Sequence, residues 1–171
     1  MRVNLPEKMV TTTMTPMFQL NDAVTRLKEE HSILQVVLQE IYSLTCAIRI
    51  EKDELQLNNQ MYELKKKVAD FKVQLDAHSQ WEEEELFPMA AWYFGTDIDE
   101  CTLMEQEHEL ADQYVKAFTH AIDRTMLPIC IEEAKRMTSY LFQAYVILTN
   151  HFRDEEELMA SLKDHSNSYD Y

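Results

Sequence analysis

The stretch His78-Ser79-Gln80-Trp81-Glu82-Glu83-Glu84-Glu85-Leu86-Phe87-Pro88 decides the fold that this sequence predicts. It closes a long repeat of apolar residues at helical spacing, and His78 and Glu82 occupy positions of that repeat where core residues are expected. Because residues four apart lie on nearly the same face of a helix, both side chains are expected to point into the core. A buried carboxylate without a partner is costly, so this pair predicts a bound metal ion.

The rest of the chain carries three more repeats of this kind, which together predict four amphipathic helices. Residues 89–95 are expected to form an aromatic connection, because a proline does not easily continue a helix. The expected boundaries are Asn21 or Asp22 for the start of the first helix, residues 51–54 for the turn after it, Pro88 for the end of the second helix, Asp97 or Asp99 for the start of the third, and Pro128 in the first turn of the fourth.

The fold class follows from these helices and from the scarcity of glycine, which occurs only at Gly95. Folds with many tight turns need glycine, so a sandwich or barrel is disfavoured. We predict an all-α fold, an antiparallel up-down-up-down four-helix bundle over residues 20–163. Residues 1–19 are expected to be an N-terminal arm and residues 164–171 a C-terminal tail. The arm either is disordered or packs on the bundle through Met14, Met17 and Phe18.

The net charge of −15 disfavours partners that are themselves negatively charged. Nucleic acids and anionic membrane surfaces attract basic proteins, so we expect neither as a partner. No run of about 18 apolar residues predicts a transmembrane helix, and residues 1–19 lack the apolar core of a secretory signal. A cytoplasmic location is therefore expected. Three widely spaced cysteines predict reduced core thiols, not disulfides or a zinc-thiolate site, and they are Cys46, Cys101 and Cys130.

Each predicted helix places one histidine on its apolar face, and the four are His31, His78, His108 and His151. In an up-down-up-down bundle, the starts of the first and third helices share one end with the finishes of the second and fourth. Each histidine lies about ten residues from that end. At ~1.5 Å of rise per residue, all four histidines are expected at one level, roughly 15 Å from that end.

Two carboxylates follow the same geometry, because Glu155 lies four residues after His151 as Glu82 lies four after His78. The next glutamates, Glu83 and Glu156, are rotated by about 140° and are expected to face outward. A local bulge would still bring Glu156 inward. A lone core histidine is usually satisfied without a metal, but six polar groups in one layer need a common partner. The alternative is an internal histidine–glutamate hydrogen-bond network.

Imidazole and carboxylate ligands without thiolate suit iron, manganese or zinc. Two carboxylates can each bridge two ions, and a bridging oxide or hydroxide completes the pair. Four imidazoles and these bridges leave about two of twelve octahedral positions open. Those positions would take dioxygen, nitric oxide, peroxide or water.

The combined pattern resembles the hemerythrin-like, or HHE cation-binding, domain. The pattern consists of a histidine on the first helix, His-x-x-x-Glu-Glu ending in Leu-Phe-Pro on the second helix, a histidine on the third helix, and His-x-x-x-Glu-Glu on the fourth helix. The resemblance covers roughly residues 21–162. It implies a four-helix bundle with a non-haem, oxo-bridged di-iron centre, whose metal ligands would be His31, His78, Glu82, His108, His151 and Glu155.

One position departs from the oxygen-carrying hemerythrins, which have His-x-x-x-His on the third helix. Here Asp112 follows His108 by four residues, so a fifth histidine is missing. Asp112 either binds iron, holds a water or faces solvent. This difference argues against simple reversible oxygen carriage and makes the chain similar to bacterial HHE proteins. We also expect Glu105 to support His108, and His120 and His165 to be exposed.

Three functions remain open from the sequence. We place first a di-iron protein that binds dioxygen or a related small molecule such as nitric oxide, for storage or sensing. The second is a di-iron redox enzyme, an oxidase, a peroxidase or a nitric-oxide-handling or iron-repair protein, although no acid–base pair or nucleophile defines a substrate. The third is a helical interaction protein without metal. A ferritin-like centre fits less well, because it requires more glutamates and fewer histidines.

Overall fold

The computed structural model describes the backbone of residues 16–94 and 99–167, and side chains over 18–94 and 99–164. All secondary structure in these residues is helical, and the elements are α1 (Pro16–Ile50), α2 (Glu54–Trp81), a π-helical turn (Glu82–Leu86), α3 (Phe87–Phe94), α4 (Asp99–Arg124) and α5 (Ile131–Asn167). The long helices α1, α2, α4 and α5 pack side by side around one core. The predicted all-α four-helix bundle is confirmed.

Several predicted helix boundaries were wrong. Helix α1 begins at Pro16 instead of near Asn21, so part of the predicted arm is helical. Proline suits a first helical position because its missing N–H needs no partner there. Helix α5 begins at Ile131, which leaves Pro128 in the preceding connection, and it extends to Asn167, into the predicted tail. The division into arm, bundle and tail stays a prediction, and residues 1–15, including Met14, lie outside the described residues.

The second predicted helix does not stop at Pro88. Helix α2, the π turn and α3 follow one another without a break, so the expected aromatic connection is helical as far as Phe94. The π turn is closed by the amide of Phe87, which donates to the carbonyl of Glu82. Pro88 is therefore the second residue of α3, and proline is tolerated in a first helical turn.

The charged turn between α1 and α2 has the predicted position. Asp53 caps α2 by accepting a hydrogen bond from the amide of Gln56 at 2.8 Å. The Glu51 side chain accepts hydrogen bonds from the amides of Lys52 and Asp53, each at 2.9 Å. These contacts satisfy amide groups that the start of a helix leaves without partners.

The bundle interior contains two apolar clusters. The large cluster fills most of its length and includes Phe71, Phe118, Leu148 and Phe152. The small cluster closes the end formed by α3 and the start of α1, and includes Leu27, Trp81, Leu86, Phe87 and Met159. The buried polar side chains of the described residues are Thr45, Thr138, His31, His78, Glu82, His108, His151 and Glu155. Both threonines donate to carbonyls of their own helices, so six polar side chains still need partners.

Helix α1 is long and apolar enough to span a membrane, judged by length and composition only. Its Phe18–Ile50 segment contains a window of mean hydropathy 1.4, of which 28% is buried. The helix also brings His31, Leu34 and Leu38 into the bundle core. The expected absence of membrane and nucleic-acid partners stays a prediction.

The three cysteines form no disulfide. Cys101 is buried and Cys46 is half-buried, but Cys130 is exposed, so the prediction of a core thiol was wrong for Cys130. Cys130 is exposed because it lies in the connection between α4 and α5. The cytoplasmic location is an untested prediction.

Candidate metal centre

The six residues predicted as metal ligands come together in one buried layer. Each long helix contributes one histidine, the π turn contributes Glu82, and α5 also contributes Glu155. The ring centroids of His31 and His78 are 4.9 Å apart, and those of His108 and His151 are 4.5 Å apart. The four histidines therefore lie at one level of the bundle, as the sequence predicted.

Both inner carboxylates lie between the Nε2 atoms of the histidines. Glu82 Oε1 is 2.5 Å from His78 Nε2 and 3.5 Å from His31 Nε2. Glu82 Oε2 is 3.0 Å from His108 Nε2. Glu155 Oε2 is 3.2 Å from His31 Nε2 and 3.7 Å from His151 Nε2. Each carboxylate thus reaches histidines from both halves of the chain.

These atoms form two overlapping groups that could each hold a metal ion. One group is His31, His78, Glu82 and Glu155, and the other is Glu82, His108 and His151. Within each group, the candidate ligand atoms all lie within 4.8 Å of one another. Glu82 belongs to both groups, so its two oxygens are placed to bridge two ions.

The hydrogen-bond inventory supports a cation instead of an internal network. Despite these short distances, the Nε2 atoms of His31 and His78 and all four carboxylate oxygens of Glu82 and Glu155 are buried and make no hydrogen bond of acceptable geometry. The cost of burying an unpaired carboxylate is several kcal/mol in practice. A metal ion would satisfy all six atoms, so the residues present fit a metal centre.

The outward Nδ1 atom of each histidine is bound by a second glutamate, and we call these four residues the outer glutamates. They are Glu156 to His31 at 2.9 Å, Glu30 to His78 at 2.7 Å, Glu83 to His108 at 2.8 Å and Glu107 to His151 at 2.9 Å. In every case the glutamate comes from a neighbouring helix or from the π turn. Carboxylates in this position orient the ring of a metal-binding histidine.

The sequence predicted only part of this outer set. Glu83 and Glu156 do face away from the centre, but Glu83 is not simply solvated, since it accepts a hydrogen bond from a histidine. No histidine contact is seen for Glu105; the supporting glutamate on α4 is Glu107, and it serves His151. The sequence contained a signal for two of the outer glutamates, since Glu30 directly precedes His31 and Glu107 directly precedes His108. His120 is exposed as predicted, and the side chain of His165 lies outside the described residues.

The π turn directs the side chains of Glu82 and Glu83 to different partners. Glu82 continues the inward face that His78 defines on α2, while Glu83 reaches His108 on α4. The widened turn then lets consecutive residues, Leu86 and Phe87, both enter the small cluster. π turns often occur at functional sites.

Burial and neighbouring charges together raise the pKa of two histidines in this layer and lower the pKa of a third. Burial opposes protonation of His31, but its contacts with Glu155 and Glu82 prevail and raise its pKa to about 9. The pKa of His108 likewise rises to about 9, because its contact with Glu82 outweighs burial. Burial and the neighbouring charge of His108 lower the pKa of His151 to about 3.

The two inner carboxylates also differ. Burial would raise the pKa of Glu82, but contacts with His108, His31 and His78 hold it well below its usual range. Burial and the nearby Glu82 raise the pKa of Glu155 to about 7, against the opposing contact with His31. Glu82 is therefore the firmly anionic member, which suits a bridging ligand.

Aromatic rings cover the layer on both sides. Phe152, which is fully buried, lies with its ring centroid 4.5 Å from that of His31 on the side of the large cluster. Phe87 stacks against His108 at 6.2 Å on the side of the small cluster. These rings exclude water from the centre along the bundle axis.

A groove of about 440 Å³ between α2 and α4 leads to His108. His108 is the most accessible of the six, although only 8% of it is exposed. The groove has an acidic lining that comprises Asp76, Glu83, Glu84, Glu105, Glu109 and Asp112.

Asp112 occupies the position of the missing fifth histidine, but it belongs to neither candidate ligand group. Its carboxylate binds Lys72 Nζ at 2.7 Å and Lys116 Nζ at 2.5 Å. Of the three roles that the sequence left open for Asp112, iron binding is the one that these contacts disfavour, since two lysines already bind its oxygens.

Comparison with known proteins gave one positive finding. The family model described as the hemerythrin HHE cation binding domain matches residues 22–162. Comparison with curated proteins and comparison with solved structures found no match.

Proposed function

Because this chain belongs to the hemerythrin HHE cation-binding domain family, we propose that it holds a non-haem di-iron centre which binds dioxygen or a related small molecule. The proposed metal ligands are His31, His78, Glu82, His108, His151 and Glu155. The observation that carries the proposal is the pair of overlapping ligand groups that share Glu82.

Iron is proposed because the resemblance to this domain implies a di-iron centre and the ligand types are compatible with it. Imidazole and carboxylate ligands without thiolate suit iron, and a carboxylate shared between two ligand groups suits a pair of ions. Cys101 is the buried thiol on α4, but it belongs to neither ligand group. Manganese and zinc are the alternatives that metal analysis will exclude or support. When bound, an iron pair would supply reversible electron transfer and Lewis acidity.

The unequal ligand groups favour one side for a small ligand. The group around His31 and His78 has four members, whereas the group around His108 and His151 has three. The smaller group leaves more of an ion's coordination sphere for an exogenous molecule. It also includes His108, which lines the groove between α2 and α4. We therefore place the binding of dioxygen or nitric oxide at the ion nearer His108.

The protein's own residues orient the ligands and keep bulk water away. The outer glutamates hold the histidine rings, and Phe152 and Phe87 cover the polar layer. No nucleophile or acid–base pair that would define an organic substrate is evident among the described residues. Binding for storage or sensing is therefore placed ahead of catalysis.

The size of the groove favours a second candidate. At about 440 Å³, it exceeds the space that a diatomic molecule needs, so a peroxide or a larger oxidant could also reach His108. The alternative function is a di-iron redox enzyme, such as an oxidase, a peroxidase or a nitric-oxide or iron-repair protein.

Metal analysis of the purified protein tests the proposal directly. We expect two irons per chain and an absorption band from an oxo bridge to iron. His78→Ala should lose iron, whereas His120→Ala is the matched control, because His120 is exposed. A protein that takes up no metal, and is as stable after His78→Ala as before, would contradict the proposal.

Rapid mixing of the reduced protein with oxygen then separates the two candidates. A stable adduct that releases oxygen under vacuum supports binding. Rapid oxidation with repeated turnover in the presence of a reductant supports the redox enzyme.

A further inference from the structure

We propose that the four outer glutamates, Glu30, Glu83, Glu107 and Glu156, are positioning residues that fix the tautomer of the ligand histidines and increase their electron donation to the metals. The inference rests on the proposed di-iron centre, and it assigns a role to residues outside the ligand set.

The four hydrogen bonds form a closed circuit around the bundle. They link α1 to α5 at His31, α5 to α4 at His151, α4 to the π turn at His108, and α2 to α1 at His78. Each neighbouring pair of long helices is therefore joined once. Since every ring is held from the adjacent helix, no ligand histidine can rotate without breaking one link of the circuit.

The partner chemistry sets the tautomer. An ionised carboxylate only accepts hydrogen bonds, so each Nδ1 atom must carry the proton. When a metal replaces any proton on Nε2, the Nε2 lone pair is directed at the centre. The Nε2 atoms of His108 and His151 lie 2.9 Å apart, within hydrogen-bond distance. If both rings carry their proton on Nδ1 only, neither Nε2 can donate to the other, so a cation beside the two lone pairs is favoured.

The outer glutamates remain hydrated while they make these contacts. Their side chains are 29% exposed for Glu30, 42% for Glu83, 28% for Glu107 and 34% for Glu156. A carboxylate bound to Nδ1–H makes the imidazole more basic at Nε2, which favours the more highly charged metal ion. The outer glutamates should therefore lower the reduction potential of the iron pair.

The outer glutamates differ in their basic partners, and this difference ranks the expected effects of two variants. Glu30 also binds Arg26 Nε at 2.6 Å, and the Arg26 guanidinium lies 4.1 Å over the ring of Trp81. This second partner withdraws charge from Glu30. Glu107 contacts no Lys or Arg in the described salt bridges, so no basic side chain competes with His151 for its carboxylate. We therefore expect Glu107→Gln to change the metal centre more than Glu30→Gln does.

Four single glutamate-to-glutamine variants test the inference, because glutamine keeps the shape and the accepting oxygen but removes the charge. The controls are Glu109→Gln on α4 and Glu157→Gln on α5, two exposed glutamates adjacent in sequence to a ligand and to an outer glutamate. Two quantities are measured, the reduction potential of the iron-loaded protein and the zinc affinity in competition with a chelator.

We expect each outer variant to retain two ions at saturation, to weaken zinc binding by about 10- to 100-fold, and to raise the reduction potential. The controls should stay within about twofold of wild type, a margin below the weakest expected effect. Zinc-loaded wild type should show Nδ1-protonated histidines in ¹⁵N spectra.

The outcomes separate this inference from the proposed function. If wild type binds two ions and the four variants match it in potential and affinity, the outer glutamates are structural and the inference alone fails. Equal effects of the variants and the controls would also overturn it, because a general charge effect would then explain the data. A wild-type protein that binds neither zinc nor iron overturns both proposals.

Discussion

At the scale of single residues, Glu82 is the centre of the site. It is fully buried, and its two oxygens approach three histidines from three different helices. Its firmly lowered pKa means that it enters the layer as an anion. Glu155 is its counterpart on α5 but belongs to one ligand group only.

This difference predicts unequal effects of two matched substitutions. Glu82→Gln should weaken the binding of both ions, whereas Glu155→Gln should mainly weaken the ion held by His31 and His78. The prediction is checked by elemental mass spectrometry, which measures the metal content per chain after gel filtration. Glu84→Gln is the control, since Glu84 is exposed on the same π turn. Two tightly held ions in Glu82→Gln would be incompatible with a shared ligand.

The inner residues could be predicted from the sequence, but the histidine that each outer glutamate contacts could not. Counting residues along each helix places His31 and Glu155 in one layer, and that count needs only helical geometry. The contact between Glu107 and His151 depends instead on which helix lies beside α4. Hydrophobic periodicity states which face is buried and contains no information about the order of neighbours.

At the scale of elements, the contact between α2 and α4 is held by charges as well as by apolar packing. Lys72 on α2 bonds to Asp112 on α4, next to the groove that leads to His108. Burial opposes ionisation, but Lys116 and Lys72 prevail and lower the pKa of Asp112 below 3.8. A lowered folded-state pKa stabilises the protein above the unfolded-state pKa, and this contribution is lost as the pH falls through the folded-state value.

Asp112→Asn should therefore reduce stability at neutral pH by about 0.5 kcal/mol, a small value because the pair is partly exposed. The difference from wild type should shrink as the pH falls through the lowered folded-state pKa of Asp112, because the carboxyl group is then protonated in both states. Urea unfolding at several pH values measures both effects. The metal content should not change, and a loss of iron in Asp112→Asn would show that the carboxylate is a ligand after all.

The π turn is the element that sequence reasoning missed, because Pro88 was interpreted as a helix end. A π turn corresponds to one inserted residue in an α-helix. Deletion of Glu85 should convert the turn to α-helix and leave Leu86 and Phe87 in the small cluster, because Phe87 then follows Glu82 by four positions and lies on nearly the same face. The stability should stay within about 0.5 kcal/mol of wild type, since Glu85 is exposed and no buried side chain is lost.

Thermal unfolding of the deletion variant measures the stability, with Glu85→Gln as the control that keeps the chain length. A deletion variant that is much less stable than the control would show that the packing of α3 depends on the π turn itself.

At the scale of the whole molecule, the polar layer separates two apolar clusters of unequal size. The large cluster includes fully buried residues such as Met61, Leu64 and Phe118, which lie ten or more positions along their helices from the histidines. The burial of these residues does not involve the proposed metal ligands, so most of the bundle should persist when the metal is removed.

Removal of the metal with a chelator should therefore preserve the helical circular dichroism but lower the thermal midpoint. Metal present at 100 times its dissociation constant stabilises a folded protein by about 2.7 kcal/mol. Addition of iron or zinc should restore the midpoint. Loss of the helical signal on chelation would show instead that the bundle requires the metal to fold.

The closed circuit of histidine–glutamate bonds also shows the symmetry of the chain. The hairpin of α1 and α2 and the hairpin of α4 and α5 each carry a Glu-His pair and a His-x-x-x-Glu-Glu segment. Two links lie within a hairpin, at His78 and His151, and two cross between hairpins, at His31 and His108. The molecule is thus a pseudo-dimer of two equivalent hairpins in one polypeptide, and each hairpin completes the coordination environment of the other.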